Sequence, residues 1–151
     1  MNRTVSTIIG PATAQEEVRA VAITTLFGSF TTAGTSGALG NETDAAVLQG
    51  LREWADVILV GSGTVKAEGY GPSKTPMAVV SASLDFDTTT KLFSGTPPLI
   101  VAPRKSLEDP ALAPRRHALE AAGCEVVEGG GVPEVVDKLR AMGFGLSLIH
   151  I

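Results

Sequence analysis

Residues 55–68, Ala-Asp-Val-Ile-Leu-Val-Gly-Ser-Gly-Thr-Val-Lys-Ala-Glu, constrain the fold more than any other part of this 151-residue chain. The apolar run Val57–Val60 suits a strand covered on both faces. It leads straight into Gly61 and Gly63, which permit a tight bend and leave backbone N–H groups bare. Thr64 adds a hydroxyl donor where a helix would begin. This layout suits a phosphate-bearing nucleotide cofactor. It is not a dinucleotide fingerprint, because the third small residue is missing: Lys66 stands three positions after Gly63. It is not a P-loop either, since no Gly-Lys-Ser/Thr follows at the required distance. A lone Gly-x-Gly also marks a commoner event, a strand that simply turns on two glycines.

Strand and helix signals alternate along the rest of the chain. Residues Met1 to Glu17 are polar and without a clear period, which predicts an arm or loop. Val18 to Phe27 reads as a strand rich in Val, Ile and Thr, ended by Gly28. Ser29 to Gly40 reads as a loop. Asn41 to Trp54 reads as a helix capped by Asn41 or Thr43, with Val47, Leu48, Leu51, Trp54 and Ala55 on one stripe. Short strands follow at Met77–Ser81 and Leu99–Val101, their entries marked by Pro76, Pro97 and Pro98. A helix is predicted over Asp109–Ala122, a strand over Cys124–Val127, and a last helix from Val132 to Met142 with Pro133 in its first turn. Such alternation predicts a predominantly parallel sheet between helices, with ligands at the carboxyl ends of the strands.

The length suits one domain, and 44% hydrophobic with 5% aromatic residues suits an aliphatic α/β core. Twelve basic against sixteen acidic residues give a net charge of -4, so the basic footprint of a nucleic-acid binder is missing. Cys124 is the only cysteine, which excludes an internal disulfide and fits a reducing cytoplasm. One cysteine and two histidines cannot build a conventional zinc site. No signal segment or membrane-length apolar run appears.

Several short motifs occur together in a telling order: Thr24-Thr25-Leu26-Phe27-Gly28, Gly34-Thr35-Ser36-Gly37, Leu39-Gly40, Asp44, Leu51-Arg52, Val60-Gly61-Ser62-Gly63-Thr64-Val65 and Glu68-Gly69-Tyr70-Gly71-Pro72. In combination they resemble the reductase domain of bacterial riboflavin biosynthesis, the pyrimidine-reductase branch of the dihydrofolate-reductase-like superfamily. The resemblance covers roughly residues 18 to 145. It implies a three-layer α/β/α fold with a mostly parallel sheet, NADPH as cofactor, a ribosylamino-pyrimidine phosphate as substrate, and a homodimer for full-length members. Two rival readings are a reductase of another heterocycle and a nucleotide-binding fragment without turnover.

The resemblance also implies cofactor contacts from Thr25, Gly61, Gly63, Thr64 and Val65, with Glu68 near the phosphate–ribose part. Ser81 stands about 20 residues past Gly61, where an NAD-binding protein would place an acid for the ribose hydroxyls. A hydroxyl there is compatible with a 2′-phosphate, so Ser81 and Ser83 are candidate adenosine-side contacts. Arg104-Lys105 could add charge at that end, although a solvated basic pair is the commoner case. Arg115-Arg116-His117 reads as a solvated helix face, Cys124 as core filling and Trp54 as packing. Glu128-Gly129-Gly130-Gly131 imitates a family Glu-Gly-Gly turn but precedes a helix, so it reads as an ordinary strand-to-helix loop. No catalytic acid or base stands out, as expected where a nicotinamide carries the chemistry.

Two departures bear on function. Phe27 stands where many family members carry an acid, which opens the substrate class. The family pattern also stops after Gly145, so residues 1–145 read as a partial reductase domain. Leu146-Ser147-Leu148-Ile149-His150-Ile151 resembles translated read-through of a sequencing adapter. Its period-two pattern equally suits the start of a genuine strand.

Overall fold

The computed structural model describes residues 3–29, 33 and 39–151. The motif Gly34-Thr35-Ser36-Gly37 and most of the expected Ser29–Gly40 loop lie outside them. Six strands form the sheet: β1 (Glu17–Val21), β2 (Val57–Gly61), β3 (Met77–Val80), β4 (Leu99–Ala102), β5 (Val126–Glu128) and β6 (Leu146–His150). Their spatial order is β1-β6-β2-β3-β4-β5, and every neighbouring pair is parallel.

Helices cover both faces. On one side lie α2 (Glu42–Trp54), α3 (Ser62–Glu68), α4 (Arg104–Leu107) and α5 (Ala113–Ala121), and on the other α6 (Val132–Ala141). The side-chain period of two divides each central strand between two cores. Ile58 and Val60 pack with Leu51 and Leu119 on the α2/α5 side, whereas Val57 and Leu59 pack with Val135, Val136 and Leu139 of α6. That division explains why β2 is apolar at four successive positions. The topology follows from handedness. Crossovers that advance from β2 to β5 stay on one face, and the return to the slot between β1 and β2 must use the other face, which α6 occupies.

Several boundaries differ from expectation. The amino-terminal segment is not all loop, because α1 (Arg3–Ile9) forms and buries Val5. Strand β1 ends at Val21 rather than Phe27. Its pairing runs out there, the last ladder bond being donated by the Ile151 N–H to the Val21 carbonyl, and Leu26 and Phe27 are both 96% exposed. The strand expected over Met77–Ser81 stops at Val80, and that expected from Cys124 begins at Val126. The Asp109–Ala122 helix divides into a 3₁₀ turn at Pro110–Leu112 and α5, while Arg104-Lys105 open the short helix α4. Asn41, not Thr43, caps α2. Its side chain accepts from the Thr43 and Asp44 amides, and Asp44 returns a bond to the Asn41 N–H.

Residues 146–150 form an interior strand. Leu148 and Ser147 are fully buried, and the segment pairs with β1 and β2 at once.

Candidate functional site

The parallel strands bring their carboxyl ends to one edge of the sheet. At the β2–α3 junction there is no intervening turn, since β2 runs through Gly61 and α3 starts at Ser62. Gly61 has φ -78° and ψ 150°, an extended conformation open to any residue. The tight-bend reading of the glycines is therefore corrected. What they provide is open space, because a Cβ on Gly61 or Gly63 would meet no heavy atom within 4 Å. No side chain caps α3, and the half-buried Thr64 in its first turn makes no hydrogen bond among the described residues. Backbone and hydroxyl donors are thus presented to solvent at a bare surface.

The neighbouring residues divide into those presented and those committed elsewhere. Val65 is 5% exposed and belongs to the core, so only its backbone can face a ligand. Glu68 ends α3, a full helix length from the junction. Ser81 is 2% exposed, and its hydroxyl accepts the Leu84 N–H at 3.1 Å. It shapes the turn in which Leu84 takes a positive φ of 51°. Ser83 is exposed, as that role requires. Thr25 lies four residues past the end of β1, where its Oγ1 accepts the Ser29 N–H and its carbonyl accepts the Gly28 N–H. It organises a local turn.

Charged groups stand on the same edge. Arg104 donates to Glu128 at 3.0 Å, a bond that raises the guanidinium's pKa further. Asp85, the first acid after β3, lies 3.4 Å from Lys66. The Glu128–Gly131 segment precedes α6. Gly129 is required by packing, since a Cβ there would approach Val101 Cγ1 to 2.6 Å, and the Gly130 N–H is held by Glu134.

Sequence reading missed two arrangements. Arg115 is not a plain solvated residue: its guanidinium donates to the Ser83 carbonyl at 3.0 Å and so fixes the β3 loop. Arg116 likewise holds the Leu107 carbonyl. The second is a cluster from three distant segments, in which the Tyr70 hydroxyl bonds His150 Nδ1, the two rings stack, and Arg52 lies 5.3 Å from the Tyr70 ring centre. Burial pushes the Tyr70 pKa up and that of His150 down, and Arg52 lowers both. No periodic signal could have joined positions 52, 70 and 150.

His150 also borders a cleft of about 640 Å³ at the carboxyl ends of β1 and β6, lined by Val21, Ile23, Asn41, Asp44 and Leu48. Because Val60 pairs with His150, this cleft adjoins the strand that carries Gly61. No group of acids, histidines and cysteine able to hold a metal occurs among the described residues, and no described helix is long and apolar enough to cross a membrane.

An all-parallel α/β sheet with an open carboxyl edge, a bare strand-to-helix junction and an adjoining cleft defines a dihydrofolate-reductase-like domain. The chain belongs to the RibD C-terminal domain family, whose model matches residues 16–145. A pyrimidine reductase-like protein from Corynebacterium diphtheriae is similar in structure, with a TM-score of 0.80 and 31% sequence identity over 97% of this chain and 68% of that one. None of the curated proteins is similar to it.

Proposed function

We infer that this chain is an NADPH-dependent reductase acting on a ribosylamino-pyrimidine phosphate. The observation that carries the reading is the bare β2–α3 junction at the carboxyl edge, in a chain of a riboflavin-pathway reductase family. Gly61, Gly63 and Thr64 would hold the cofactor phosphates through backbone N–H groups and one hydroxyl. Ser83 and the Arg104-Lys105 pair would face a 2′-phosphate, with Arg115 positioning the Ser83 loop. When bound, the reduced nicotinamide supplies a hydride. The cleft beside β1 and β6 would seat the acceptor against it and limit water, the ribosyl carbon gaining the hydride and the substrate's heteroatom taking the balancing proton from solvent. A second reading, reduction of another heterocycle, is favoured by Phe27, which exposes an aromatic ring where an acid is usual.

Fluorescence titration with NADPH and NADH tests the cofactor assignment. The only acid on the β3 loop before Phe86 is already paired with Lys66, so NADPH should bind more tightly. Equal affinity, or a preference for NADH, would overturn the 2′-phosphate argument.

A further inference from the structure

One ion pair joins the two carboxyl-edge segments that border the β2–α3 junction. On α3, Lys66 stands one turn past Ser62 and Gly63, on the same flank of the helix. Asp85 stands two residues past Ser83 on the loop after β3, the strand paired with β2. Lys66 Nζ lies 3.4 Å from Asp85 Oδ2, so the pair spans from one segment to the other. The loop under Asp85 is fixed, because Leu84 is buried in the core, Ser81 Oγ accepts the Leu84 N–H, and Arg115 holds the Ser83 carbonyl. The pair itself is loose. Its side chains are 48% and 62% exposed, and 3.4 Å is long for a charge-assisted bond, so a competing anion can engage the ammonium with little loss. The pair also borders a groove of about 750 Å³ lined by Val65, Gly69, Phe86 and Leu92, in which the Lys66 ammonium lies 5.6 Å from the centre of the Phe86 ring.

We propose, on the cofactor reading already given, that Lys66 is the residue that sets the choice between the two nicotinamide dinucleotides, and that it does so through Asp85. An acid at the end of the strand next to a phosphate-binding junction is the group that accepts a ribose 2′-hydroxyl and repels a 2′-phosphate. Asp85 is such an acid, and on its own it would favour NADH. Lys66 cancels that charge. Its ammonium carries three N–H donors, so one can stay on Asp85 while another turns to a 2′-phosphate. With Lys66 in place this corner presents a cation and a neutralised acid; without it, a bare carboxylate. Fixing the loop through Leu84 and Arg115 keeps Asp85 within reach of Lys66 in both cases, so the preference rests on one mobile side chain rather than on a movement of the backbone.

Titration of the whole chain with NADPH, NADH and 2′,5′-ADP, read by nicotinamide fluorescence and its displacement, tests this. Lys66→Met should weaken NADPH and 2′,5′-ADP by at least about tenfold, as for a lost bond to a charged group, with NADH unchanged or tighter. Asp85→Asn should tighten NADPH about two- to fivefold, the range of an exposed ion pair that no longer competes. In the Asp85→Asn background the loss from Lys66→Met should shrink, because the bare acid is gone. Lys66→Arg should keep the wild-type preference, and Lys138→Met, at an exposed lysine on α6, should change nothing. A wild-type chain that binds NADPH, with a preference unmoved by Lys66→Met, overturns the role of Lys66 and leaves the cofactor reading standing. Equal weakening of NADPH and NADH also overturns it, since Lys66 would then serve the diphosphate that both share. A wild-type chain that takes up none of the three ligands removes the cofactor reading and the role of Lys66 together.

Discussion

Replacing Thr64 by Val separates the cofactor reading of the β2–α3 junction from a merely structural one. The two side chains are nearly equal in shape, both are branched at Cβ, and their helix propensities are similar. Thr64 makes no hydrogen bond among the described residues and is only half-buried, so the folded protein loses no bond on substitution. Its stability should change by no more than about 0.5 kcal/mol, the range of an ordinary surface substitution. A bound phosphate changes that balance. A hydrogen bond from a hydroxyl to a charged group contributes about 1.5–3 kcal/mol, which corresponds to roughly a 10- to 150-fold weaker dissociation constant. NADPH is titrated against wild type and Thr64→Val with nicotinamide fluorescence as signal, and a thermal melt of each confirms equal folding. An unchanged dissociation constant with intact folding would remove the phosphate from this junction. An equal loss of stability without ligand would mean that the hydroxyl serves the protein itself.

Phe27→Asp should fold normally, with a melting temperature close to wild type, because the ring is 96% exposed and nothing is unpaired by its loss; a collapsed melt would show that the ring is buried. Gly129→Ala should destabilise by about 1–3 kcal/mol in urea unfolding, since its Cβ would stand 2.6 Å from Val101 Cγ1 and the neighbours must move. Pairing it with Val101→Ala should recover part of that loss, and strict additivity of the two would contradict the steric cause. Ser147→Ala should raise stability by about 1–3 kcal/mol, because Ser147 Oγ is fully buried and has no hydrogen-bond partner among the described residues. A less stable variant would reveal a partner for that hydroxyl.

What the sequence shows clearly is whatever depends on near neighbours. The start of α2 is legible because Asn41 and Asp44 form a reciprocal cap within four residues. Strand β2 is legible because burial on both faces leaves an unbroken apolar run, and the α6 stripe because Val135, Val136 and Leu139 recur at helical spacing. The extent of β1 is not, because Ile23, Leu26 and Phe27 have strand-like character while the strand ends where β6 stops pairing with it. Helix α1 is not legible for a related reason: its seven residues show no helical period, and Val5 and Ile9 hold it only through contacts with the distant α2 and the core.

The candidate site follows the same division. Gly61, Gly63 and Thr64 are contiguous and legible, though the glycines act by leaving space rather than by bending the chain. Ser81 and Ser83 look alike in sequence, yet the turn that follows β3 points the first inward to the Leu84 amide and leaves the second exposed. Arg115 reaches the Ser83 carbonyl from 32 residues away, so composition marks it only as surface charge. Placing β6 between β1 and β2 requires the chain to return across the far face under α6, and this one long-range step brings His150 to the cleft beside Val21. Local pattern can propose residues 146–150 as a strand. Only the long-range pairing determines which two strands it joins.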